Sequence, residues 1–69
     1  MDKHIHVYRV RTESLPRATE AMNGSWDFFH SRVLEVRTGD RISLVVVELD
    51  GYYPYITNKW DFILSAEER

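Results

Sequence analysis

Ile42-Ser43-Leu44-Val45-Val46-Val47-Glu48-Leu49, followed by the turn dipeptide Asp50-Gly51, decides the fold of this chain. The run holds no Gly or Pro and is dominated by β-branched residues, so it reads as a strand. Unlike a strand with one solvated side, it is apolar on both faces. Ile42, Leu44 and Val46 share one face, and Val45, Val47 and Leu49 share the other. Both faces therefore need cover, and the rest of the chain must supply it.

Upstream, Val33-Leu34-Glu35-Val36 leads directly into a turn around Gly39-Asp40. With Gly39 in the left-handed position of a three-residue loop, Glu35 faces Arg41 and Leu34 faces Ile42. Leu34 and Val36 then join Ile42, Leu44 and Val46, while Glu35, Arg37, Arg41 and Ser43 take the other side. Before this hairpin, residues 26–31 suit either helix or strand, and we expect strand at least from Ser31.

Downstream, Asp50-Gly51 signals a second tight hairpin. The partner strand, 52–57, contains Pro54, which places it at an edge. Residues 60–65 are expected to form a last short strand, with Ala66 to Arg69 as a frayed tail.

At the start of the chain, residues 4–12 read as a strand. Ser14, Leu15 and Pro16 then open a short helix in which Leu15, Ala18 and Met22 form one apolar stripe, and Asn23-Gly24 stops it. The whole reads as α+β: an antiparallel sheet of four to five strands with one short helix on one face. The alternative is a small curved β-barrel in which residues 15–23 only connect strands. A single helix covers one face. Val45, Val47 and Leu49, with Tyr52 and Ile56 alongside, are the residues expected to stay uncovered.

At 69 residues the chain makes a single domain, 1–69. Such a chain buries only about 60% of the surface its unfolded form exposes. It has no Cys, so no disulfide or thiolate-zinc site supplements the core. Nine aromatic residues carry that burden instead. Two of the clusters nearly repeat: Ser25-Trp26-Asp27-Phe28-Phe29 and Lys59-Trp60-Asp61-Phe62-Ile63 each set two aromatics around a carboxylate. Both read as core anchors with solvated aspartates. The lack of Cys, of an apolar run near the ~20 residues of a membrane span and of a signal-peptide core suggests a cytoplasmic setting.

Net charge is −2, and residues 42–69 hold two Lys/Arg against five Asp/Glu. No basic stripe is present, which disfavours nucleic-acid binding. The three glycines each belong to a turn, and no phosphate loop or nucleophile elbow occurs. The sequence therefore suggests no enzyme and no cofactor. His4, His6 and His30 offer a metal-site alternative, since His4 and His6 share a strand face.

Recognition falls instead on the tyrosine-rich segment. Tyr52, Tyr53, Tyr55 and Trp60 are the expected anchors for a protein partner, with Arg37 and Arg41 as rim contacts. Arg9 and Arg11 share a face and extend the expected patch for an acidic partner. The sequence-based expectation is a non-enzymatic interaction module that binds another protein or itself as a homodimer. It fits the profile of a small accessory inhibitor of phage or mobile-element type. A nucleic-acid-binding barrel using the same aromatics is the alternative.

Overall fold

A computed structural model describes residues 3–26, 29–50 and 61–69. The predicted 50–51 hairpin, the Pro54 strand, and Asp27, Phe28, Tyr52, Tyr53, Tyr55 and Trp60 thus lie wholly or partly outside the described residues. So do the side chains of Trp26, Phe29 and His30.

The elements run β1 (Lys3–Arg11), a single 3-10 turn (Thr12–Ser14), α1 (Leu15–Met22), β2 (Gly24–Trp26), β3 (Phe29–Arg37), β4 (Ile42–Asp50) and β5 (Ile63–Glu68). The five strands form one antiparallel sheet in the order β2-β3-β4-β1-β5. This is the expected α+β architecture, with β2 and β5 outermost among the described strands. The decisive strand β4 lies between β3 and β1, and β1 is itself interior.

Pairing identifies the core face. Opposite β4, His6 meets Val47, Tyr8 meets Val45 and Val10 meets Ser43. These six residues, with Leu49, are buried. The helix adds Ala18 and Met22 to the same cluster, which Phe62 and Ile63 complete at the start of β5. Burying a side chain of Leu or Phe size contributes about 1.5–3 kcal/mol. The expected assignment of faces is therefore reversed: Val45, Val47 and Leu49 are the covered side of β4.

The register of the β3–β4 hairpin also departs from the expectation, and this has a local cause. The pairs Val33–Val47 and Glu35–Val46 leave Leu34 as an extra residue, a β-bulge. Beyond it, Arg37 pairs with Leu44, so the expected Glu35–Arg41 register does not form. Gly39 is not in the left-handed region. It is needed for space, because a Cβ there would run into the Ile42 carbonyl oxygen.

The helix boundaries also form differently from the expectation. Ser14 makes no side-chain capping bond, and Asn23 is extended (φ −106°, ψ 111°). Gly24 opens β2 instead of taking a left-handed stop. The end of the helix is held from the sheet: the buried Ser31 hydroxyl donates to the Met22 carbonyl at 2.6 Å. Val33 N–H donates to Asn23 Oδ1 at 3.3 Å. The C-terminal residues 66–68, expected to fray, belong to β5, and Arg69 N–H donates to the Ile5 carbonyl at 2.8 Å.

Candidate functional site

The second face of the sheet carries Ile5, Val7, Arg9 and Arg11 from β1 and Ile42, Leu44, Val46 and Glu48 from β4. Among the described residues, no helix lies over it. Val7 pairs with Val46, Arg9 with Leu44 and Arg11 with Ile42, so apolar and cationic residues interleave across the central strands. Val46 is nevertheless buried. Glu35, Arg37 and Arg69 line a shallow cleft of about 160 Å³ over Val7, Leu44 and Val46. The aliphatic stems of such long polar side chains can cover apolar surface while the charged ends stay in water.

The charges on this face are unevenly neutralised. At one end Glu48 forms ion pairs with Lys3 at 3.5 Å and Arg32 at 3.7 Å. Glu35 is bound by Arg37. At the other end, Arg9, Arg11 and Arg41 are in no ion pair among the described residues. There Arg11, Glu13, Asp40, Arg41, Ile42 and Leu64 line a groove of about 430 Å³. Leu64 is the extra residue of a second bulge, between Ile63 opposite Val10 and Ser65 opposite Arg9. It is 41% exposed and Ile42 is 40% exposed.

The turn that carries Arg41 is pinned. Thr12 Oγ1 donates to the Gly39 carbonyl at 2.9 Å, so the Ser43 hydroxyl must donate across the 2.7 Å contact to Thr12 Oγ1. Ser43 Oγ in turn accepts from Gly39 N–H at 3.1 Å. Thr12 N–H also donates to the Arg41 carbonyl at 2.8 Å. This ring fixes the backbone on one wall of the groove.

Of the predicted recognition residues, Arg37 and Arg41 fall at the two ends of the β3–β4 turn. The structure joins Arg9 and Arg11 to that end of the sheet. Alternation in the first strand was the available signal: His6, Tyr8 and Val10 are bulky, while Arg9 and Arg11 are charged. Pairing that strand against β4 would have identified the covered face.

A separate cluster sits on the core side. His4 Nδ1 lies 2.5 Å from Glu68 Oε2, and His6 Nε2 lies 4.0 Å from the same oxygen. His6 stacks on Tyr8, with centroids 5.9 Å apart and planes 13° from parallel. Burial lowers the His6 pKa below its ordinary value, Glu68 opposes this and His4 adds to it. Among the described residues, no three His, Cys, Asp or Glu groups stand together as a metal site. Asp61 is exposed and lies 3.9 Å from Arg17, as a solvated carboxylate would.

Among the described residues, no helix is long and apolar enough to cross a membrane. No family model matches the chain, and no curated protein or solved structure matches it.

Proposed function

We propose that this protein is a non-enzymatic interaction module of the cytoplasm that docks on a larger protein through the sheet face opposite the helix and acts by occupying its surface. The carrying observation is that face itself, where the exposed Ile42 and the half-buried Leu44 and Val7 lie beside the buried Val46 and are flanked by arginine. Apolar surface of this kind, rimmed by charge, marks an association site. An accessory or inhibitory role is the simplest use of a small domain that binds in this way.

Capture from nuclease-treated lysate of the source cells tests the reading. Tagged wild type is compared with Leu44→Glu on the open face and Arg17→Glu on the helix. We expect one stoichiometric protein, retained by Arg17→Glu and lost by Leu44→Glu while the melting profile holds. Leu44→Ala repeats the test should the charged variant fold poorly. Capture that needs nucleic acid, or that ignores the Leu44 substitutions, would contradict the proposal. Capture of the chain by itself would redirect it to a homodimer.

A further inference from the structure

We infer that the groove between Arg11 and Arg41 is the specificity end of the open face, and that it takes an acidic peptide segment bearing aliphatic side chains from a partner protein. This inference rests on the interaction reading above and names the chemistry of the partner.

The asymmetry of charge carries it. Lys3, Arg32 and Arg37 are already satisfied by Glu48 and Glu35. Among the described residues Arg9, Arg11 and Arg41 are in no ion pair, although the protein as a whole carries a net charge of −2. Arginine forks bind carboxylates in defined geometry, and two of them, Arg11 and Arg41, line the groove, with Arg9 on the same sheet face outside it. The exposed Ile42 and Leu64 beside them add an apolar requirement. A carboxylate flanked by aliphatic groups satisfies both.

Glu13 and Asp40 sharpen the choice. They line the same groove and balance Arg11 and Arg41 in formal charge, so it suits a single carboxylate set against an arginine, spaced by aliphatic groups, and not the dense charge of a nucleic-acid backbone. The wall is also set in advance. The Thr12–Gly39–Ser43 ring holds the turn before any ligand arrives, which lowers the ordering cost of binding.

Fluorescence anisotropy with a short labelled peptide alternating Glu and Leu tests the inference. The comparison probes alternate Glu with Ser and Lys with Leu, and a labelled single-stranded thymidine oligonucleotide completes the set. The Glu/Leu peptide should bind best, and Arg11→Glu or Arg41→Glu should each weaken it by about fivefold or more. Arg17→Glu should leave it unchanged. No binding of the Glu/Leu peptide, equal binding of the Lys/Leu peptide or the oligonucleotide, or indifference to both groove substitutions would overturn it. If Leu44→Glu abolishes partner capture while Arg11→Glu and Arg41→Glu do not, the interaction reading stands and this inference fails.

Discussion

Gly39 and Ser43 show how single atoms set the shape of the binding end. A methyl group on Gly39 would meet the Ile42 carbonyl, and relieving that overlap must move the turn that carries Arg41. We predict that Gly39→Ala destabilises the protein by about 1–3 kcal/mol in urea unfolding. His6 supports a prediction of a different kind. Its folded-state pKa lies below the ordinary value of 6.5, chiefly from burial, with His4 lowering it further and Glu68 opposing. As pH falls below about 6.5, the unfolded chain takes up a proton there before the folded one does. The stability this group contributes should therefore be fully present well above pH 6.5 and decline as pH falls below it. His6→Gln should flatten that slope in unfolding curves measured over that fall in pH, and an unchanged slope would assign it to other groups. Neither residue's role was legible beforehand. A glycine in a turn suggests a left-handed backbone, whereas this one is required by a neighbouring carbonyl distant from any sequence signal. That His4 and His6 share a face was legible, because strand alternation alone dictates it.

At the level of elements, α1 depends on the sheet for its ending. Its apolar stripe was readable from Leu15, Ala18 and Met22, and its range follows from Pro16 and the break at Asn23. The device that ends it was not readable, because Ser31 reaches the Met22 carbonyl from a different strand. Ser31→Ala should cost about 1–2 kcal/mol and loosen the helix first, seen as faster amide exchange in α1 than in β4. Uniform exchange through both elements would contradict that order. The hairpin between β3 and β4 forms as expected, but its register differs for a related reason. A bulge at Leu34 carries no Gly or Pro to announce it, yet the extra residue places both Val33 and Val36 on the helix side. Simple alternation from Val33 to Val36 must then misassign one end of the strand. The Leu64 bulge does the same in β5, adding an exposed leucine beside the arginine groove.

At the scale of the whole molecule, one strand serves two surfaces. The odd-numbered residues of β4 from Ser43 to Leu49 face the helix and the buried core, while Leu44 and its neighbours face the open side. The sequence showed that both faces were apolar and that one helix covers only one of them. Which face it covers depended on β1, whose pairing with β4 is a long-range event that no local pattern encodes. The two roles predict opposite mutational behaviour. Val45→Ala should lower stability by about 2 kcal/mol, and binding should fall only as far as folding does. Leu44→Glu should leave a folded protein, since Arg9 and Arg37 lie opposite it on the neighbouring strands. The most direct test of the account is therefore partner capture by Leu44→Glu, scored beside its thermal unfolding. A normal melting transition with capture lost is the predicted result; a normal transition with capture intact would contradict the assignment of recognition to the open face.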